Sequence, residues 1–139
     1  DELLLVVGKK HRFAGKKSVN AADLGNERWV LFERGASIRR ATDDFFKTFQ
    51  VKPEKALESN DTYFVKLMVE HGLGVSLMPT WAVEEEVAAG RLAKVRIRDH
   101  KLRRSVAMVL LKGSRSRTIR AFIDFILERK GKLQTAASG

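Results

Sequence analysis

The sequence predicts an α/β domain built on a mainly parallel sheet with helices on both faces. Two observations lead to this fold class. Short apolar runs of strand length alternate with longer segments of helical periodicity along most of the 139 residues. The connections between them are short, as in repeated strand–helix units. A chain of this length is long enough to bury one substantial hydrophobic core.

Strands are predicted where apolar or β-branched residues follow one another, because a strand buried on both faces has this composition. The segment at residues 92–97 differs, since basic residues alternate with apolar ones and one of its faces should be wet. The predicted strand at residues 75–78 ends at Pro79. The predicted strands are residues 3–7, 29–32, 56–59 (weak), 75–78, 92–97 and 106–111.

Helices are predicted from apolar residues recurring at three- and four-residue steps. From Ser37 onward, Ile38, Ala41, Phe45 and Phe49 follow this pattern, with charged residues on the other side. The segment from 61 or 62 to 71 is apolar almost all round, so it should be largely buried, in this chain or against a second copy. Further helices are predicted at 80–89, capped by Thr80, and at 118–129, followed by a disordered tail at 130–139.

Composition removes several chemistries. The chain has no cysteine, which excludes disulfides, thiolate zinc sites and a cysteine nucleophile. No apolar run reaches the roughly 20 residues of a membrane-spanning helix. His11, His71 and His100 have no partners at metal-ligand spacing, and no nucleophile elbow or nucleotide-binding glycine motif follows a predicted strand. We therefore expect no metal, no cofactor and no catalytic residues. The absence of cysteine is compatible with a reducing cytoplasm.

The net charge is +10, and the basic residues are concentrated at 9–17, 91–104 and 112–120. They could be solvated loops and strand edges, or they could provide a positive field for an anionic ligand or for DNA. Because no aromatic residues are interleaved and no recognition helix is evident, solvated loops are favoured.

The leading candidate site is the turn between the second strand and the first long helix. Ligands of open α/β sheets bind at the carboxyl ends of strands, and a helix start offers free N–H groups to an anion. Ser37 would be the helix cap, with Arg34, Arg39 or Arg40 nearby; alternatively, Ser37 only caps the helix and the arginines are solvated. The candidate residues are Glu33, Arg34, Gly35, Ala36 and Ser37.

A second candidate is Gly74 and Ser76, together with Thr80. Glycine allows a backbone to approach a ligand closely. The alternative is that Gly72 and Gly74 simply terminate the preceding helix, with Gly72 in the left-handed cap position.

Residues 6–15, 22–24, 32–40 and 72–79 carry a resemblance that extends over residues 3–127. The run Gly-Leu-Gly-Val-x-Leu-x-Pro at 72–79 is its most specific element. In this order the motifs resemble the effector-binding region of LysR-type transcriptional regulators.

The resemblance implies a type II periplasmic-binding-protein-like fold, in which two lobes joined by crossing strands hold a small effector. Residues 1–104 would be the second lobe with the first crossing strand, and 105–130 the second crossing strand (106–111) and a helix of the first lobe, followed by the disordered tail at 131–139. DNA would be bound through an N-terminal winged helix-turn-helix absent from this chain. The turn from Glu33 to Ser37 would face the effector.

The expected function is thus a ligand-sensing regulatory domain that binds a small, anionic effector and forms a cytoplasmic homodimer or higher oligomer. Two other functions stay open on the sequence. One is a basic nucleic-acid-binding module, and the other is a solute receptor with the same fold.

Overall fold

The computed structural model describes residues 1–105, 107 and 116–136, with the backbone alone for 130–136. The chain divides into two compact units, residues 2–104 and a second unit formed by Asp1 with residues 105–139. The helices and strands, in chain order, are β1 (Glu2–Gly8), β2 (Ser18–Val19), β3 (Arg28–Phe32), α1 (Ser37–Phe49), β4 (Glu54–Ser59), α2 (Thr62–Glu70), β5 (Ser76–Pro79), α3 (Glu84–Ala88), β6 (Leu92–Ile97), β7 (Leu102–Arg103) and α4 (Arg117–Ala136).

One strand of the larger unit runs against all the others. β1 pairs antiparallel with β5, β6 and β7, while β2 pairs parallel with β6 and β3 with β4. A parallel bridge between Trp29 and Val75 gives β3 the direction of β5. Six of the seven strands therefore share one direction, as a mainly parallel arrangement requires. The three pairings of β1 are antiparallel, so the five-stranded sheet that contains it is mixed. The apolar run of β1 predicts a buried strand but does not encode its direction.

Helices α1 and α2 cover opposite faces of this sheet. A Cβ placed on Gly8 would lie 2.8 Å from the Val69 carbonyl oxygen of α2, so alternate residues of β1, including Val6, face α2. Trp29 faces the other side, where its ring meets Phe46 of α1 edge-on at 4.7 Å. The core lies in these layers, and its largest fully buried side chains include Trp29, Phe13, Phe45, Leu3, Leu5, Leu24, Leu77 and Met78.

Of the two predicted ways of burying α2, its own chain supplies only part. Val65 and Val69 are buried, but Tyr63 is 68% exposed and Phe64 is 38% exposed in this chain. The rest of the helix is buried or half-buried, so the exposed apolar part is confined to its first turn. The exposed part is therefore available to another surface.

Two helix boundaries also differ. Thr80 does not cap an α-helix; Pro79 precedes a 3-10 turn at Thr80–Val83, and α3 begins only at Glu84. The last helix continues to Ala136, into the segment predicted to be a disordered tail. Lysine, leucine, glutamine and alanine in this stretch all favour helix, and Gly131 does not interrupt it. The predicted strand at 106–111 lies, apart from Ala107, outside the described residues.

Candidate functional site

Several chain segments meet at one edge of the sheet. Because β3 and β5 run in the same direction, their carboxyl ends lie together, followed by the turn at Glu33 and by Thr80. β1 runs the other way, so its first residues reach the same edge, with Leu3 opposite Pro79. Glu2 is in turn opposite Arg103 of β7, which brings Arg104 to this edge.

The turn at this edge depends on Gly35 and Ala36. Gly35 has φ of +98°, a left-handed conformation that glycine adopts without steric cost. Ala36 is extended and occupies the N-cap position of α1, so the prediction that Ser37 is the cap is wrong. An alanine cap supplies no side-chain acceptor, and the N–H groups of the first turn of α1 lack the usual capping bond.

Ser37 instead contacts a residue outside the predicted site. Arg104 Nη1 donates a hydrogen bond to Ser37 Oγ at 3.1 Å. Both side chains are partly buried, and burial lowers the pKa of Arg104. The two residues are 67 positions apart, so no local pattern joins them; the only sequence signal is that Arg104 ends the basic segment 91–104.

Arg39, named among the nearby arginines, has a structural role. Its side chain is buried, with Nη1 donating to the Phe32 carbonyl oxygen at 2.8 Å and to Glu58 Oε1 at 2.9 Å, and Nε donating to Asp43 Oδ1 at 2.8 Å. Burial alone lowers the pKa of Arg39, but the carboxylates of Asp43 and Glu58 outweigh it and raise the pKa. Its charge is already neutralised, so Arg39 holds the end of β3 against β4.

The remaining residues of the turn lie at the surface. Arg40 Nη1 donates to the Gly35 carbonyl oxygen at 2.6 Å, which closes the turn from outside. The backbone N–H of Arg34 donates to Glu58 Oε1 at 3.2 Å, and that of Glu33 to the Ser59 carbonyl oxygen at 3.1 Å. The side chains of Glu33 and Arg34 are exposed.

The residues of the second candidate site, Gly74, Ser76 and Thr80, do not all lie beside this turn. Gly74 lies at the other end of β3, where a Cβ would be 2.6 Å from the Arg28 carbonyl oxygen. Ser76 is buried and paired with Val6, which places it on the sheet face covered by α2. Thr80 does lie at the shared edge, and its buried Oγ1 has no hydrogen-bond partner among the described residues.

None of the three histidines belongs to the candidate site at this edge. His11 Nε2 is 3.1 Å from Glu27 Oε2, His71 is exposed, and the His100 ring meets Phe49 edge-on at 4.9 Å. Within the described part of the chain, no group of three or more metal-ligating side chains is found. The same residues contain no helix with the length and hydropathy of a membrane span.

Comparison with known proteins identifies a family over nearly the whole chain. The model of the LysR substrate binding domain matches residues 1–131. The RuBisCO operon transcriptional regulator of Allochromatium vinosum is 26% identical over 132 residues, which cover 94% of this chain and 44% of that regulator. The chain therefore spans less than half the length of that relative.

Solved structures agree with this match. The LysR family regulator HinK from Pseudomonas aeruginosa is 27% identical with a TM-score of 0.75, over 94% of this chain and 45% of that one. The CcmR regulatory domain from Synechocystis PCC6803, solved in complex with 2-PG, has a TM-score of 0.76 at 23% identity, over 91% of this chain and 62% of that one. These likenesses confirm the predicted α/β fold of a type II periplasmic-binding-protein-like lobe.

Proposed function

Because the chain belongs to the LysR substrate-binding domain family, we propose that it is the ligand-sensing lobe of a transcription regulator and binds a small anionic effector. The binding site proposed is the sheet edge formed by the turn from Glu33 to Ser37 and by Arg104. The observation that carries the proposal is the hydrogen bond from Arg104 to Ser37 Oγ, beside the uncapped start of α1.

An anion fits this edge for electrostatic reasons. The N–H groups of a first helical turn carry a partial positive charge and can donate to a carboxylate or phosphate. Arg104 adds a full positive charge in a partly buried position, where charge-assisted hydrogen bonds are stronger than in water. Gly35 lets the turn approach a ligand without a side chain, and Glu33 and Arg34 would contact its outer polar groups.

Regulation follows if the effector binds one arrangement of the full protein better than another. A ligand shifts an equilibrium only by its difference in affinity for the two states. In this proposal, a winged helix-turn-helix outside this chain recognises the promoter DNA. The match to regulators makes the solute-receptor hypothesis the less favoured one.

Replacing Arg104 tests the site. We expect Arg104→Ala to weaken binding of a carboxylate or phosphate-ester ligand by about 10- to 100-fold, the loss of one charge-assisted contact. Ser37→Ala should cost less. Isothermal calorimetry against a panel of small carboxylates and phosphate esters, in a form of the regulator that carries both lobes, measures this.

Arg103→Ala is the matched control, since Arg103 is exposed and adjacent in sequence to Arg104. It should leave the affinity unchanged. If the Arg104→Ala variant binds the ligand as tightly as the wild type, the proposed site is wrong. If no small anion binds at all, the anionic character of the effector is wrong.

We also propose that the protein forms a homodimer through the exposed part of α2. Tyr63 and Phe64 are adjacent large apolar residues at the start of this helix, and both are exposed. Neighbouring exposed aromatic side chains are typical of a surface that another protein covers.

A further inference from the structure

Two basic segments that are far apart in sequence become neighbours in the fold. The loop after β1, residues 9–17, lies against residues 91–104, which contain β6. The Lys9 N–H donates to the Arg91 carbonyl oxygen at 3.1 Å, and the Arg96 N–H donates to the Lys17 carbonyl oxygen at 3.2 Å. Strand β2 continues this contact, with Ser18 in parallel register with Arg96.

These two segments account for the charge of the whole chain. Residues 9–17 contain five Lys or Arg and no carboxylate, and residues 91–104 contain seven and one carboxylate, Asp99. Their combined net charge is therefore +11, whereas the whole chain carries +10. The rest of the sequence is close to neutral. Arg103 and Arg104 lie beside the start of β1, so the basic region formed beside the loop 9–17 consists of that loop and residues 91–98.

Few of these cations are neutralised by the protein itself. Arg12 pairs with Glu27 at 2.6 Å and Arg91 with Glu70 at 3.2 Å. Seven others form no ion pair with any carboxylate of the described residues. They are called the basic surface below and consist of Lys9, Lys10, Lys16, Lys17, Lys94, Arg96 and Arg98. All of them except Lys94 are well exposed.

The basic surface is elongated and lacks large apolar side chains. Lys94, Arg96 and Arg98 alternate along β6 and its end, so they project from one side at intervals of about 7 Å. The exposed large apolar residues of the described chain all lie outside the two segments. A surface without them has nothing to insert into a lipid layer and nothing on which bases could stack.

A polymer of regularly spaced, exposed negative charges matches such a surface. We propose that the basic surface binds the phosphate backbone of double-stranded DNA without reading its sequence. This interaction depends on charge and is separate from the effector site, because β1 and β5 lie between β6 and β3, the strand that precedes the turn at Ser37. Either proposal can fail while the other holds.

The test is fluorescence anisotropy of a labelled mixed-sequence DNA duplex titrated with this protein. Binding should weaken steeply between about 50 and about 200 mM salt, with a log–log slope of about −0.9 for each phosphate contacted. The charge-reversal variant Lys17→Glu/Arg96→Glu should weaken binding by at least about tenfold and reduce the slope by about two.

The control variant Lys47→Glu/Lys52→Glu changes the net charge equally at exposed lysines outside the basic surface. It should bind nearly as well as the wild type. Circular dichroism verifies that both variants fold. The proposal is overturned if the duplex does not bind at low salt, if both variants weaken binding equally, or if the protein binds anionic phospholipid vesicles or single-stranded RNA more tightly than the duplex.

Discussion

Gly74 is a residue whose type is determined by its surroundings. A Cβ at this position would lie 2.6 Å from the Arg28 carbonyl oxygen and 2.9 Å from its carbonyl carbon. The same carbonyl accepts a hydrogen bond from the Val75 N–H at 2.8 Å, which fixes the distance between the two strands. The backbone cannot move away without losing this bond, so the glycine serves the packing of β3 against β5.

We therefore expect Gly74→Ala to lower the free energy of unfolding by about 2 kcal/mol, the usual cost of forcing extra atoms into a packed region. Urea denaturation measures it. Gly15→Ala is the control, because nothing lies within 4 Å of a Cβ at Gly15, and its effect should be near zero. Equal stability of the two variants would contradict the steric explanation.

At the residue scale, local chemistry could be predicted and long-range contacts could not. Gly72 has φ of +78°, as expected for a residue that ends a helix in the left-handed conformation. The residue type of Ser37 predicts a cap, but the helix begins at Ser37 itself and Ala36 occupies the cap position. The contact between Ser37 and Arg104 depends on the pairing of β7 with β1, which no spacing in the sequence reveals.

Between the elements, α2 and α3 are joined by a buried ion pair. Lys66 Nζ lies 2.5 Å from Glu86 Oε1, and Glu86 is only 6% exposed. Burial by itself raises the pKa of Glu86, but the hydrogen bond from Lys66, the backbone and the charges of Lys66 and Arg91 lower it overall. The pair therefore stabilises the fold at neutral pH, and this contribution is lost as the pH falls through the lowered pKa.

Lys66→Met removes the cation and leaves Glu86 in its buried position. We expect a loss of about 2 kcal/mol or more at neutral pH, because an unpaired buried carboxylate is costly. In this variant burial would raise the pKa of Glu86, so the carboxyl group would take up a proton more readily in the fold. The stability difference from the wild type should then narrow as the pH falls toward about 4.

Urea denaturation at several pH values measures this dependence. Lys52→Met is the control, since Lys52 is exposed and forms no ion pair with the described residues. A stability difference for Lys66→Met that stays constant with pH would show that Glu86 is not the group responsible.

The elements themselves were largely predictable, because burial imposes a period on the sequence. The apolar stripe of Ile38, Phe45 and Phe49 gave α1, and the continuous runs gave β1, β3 and β5 within a few residues. The short strands β2 and β7 were missed, since two residues carry no periodicity. The exposure of Tyr63 was not predictable either, because composition does not tell which side of an apolar helix its own chain covers.

At the scale of the whole molecule, the proposed association can be tested on α2. Tyr63→Ser/Phe64→Ser should convert a dimer into a monomer, because it removes the two large apolar contacts from the exposed face. Light scattering at a concentration where the wild type is dimeric measures the change. Phe122→Ser on α4, also an exposed phenylalanine, should leave the dimer intact.

A monomeric wild type at high concentration would contradict the dimer itself. Dissociation by Phe122→Ser alone would place the contact on α4 instead of α2.

The reversed direction of β1 has a consequence for protein engineering. Because Glu2 is opposite Arg103, the chain enters and leaves the unit of residues 2–104 on adjacent strands, about 5 Å apart. Such a unit resembles an inserted domain whose two ends fit within a single hairpin of a host protein. It could be exchanged between hosts as a cassette with very short linkers, and joining its two ends would give circular permutants that open in any exposed loop.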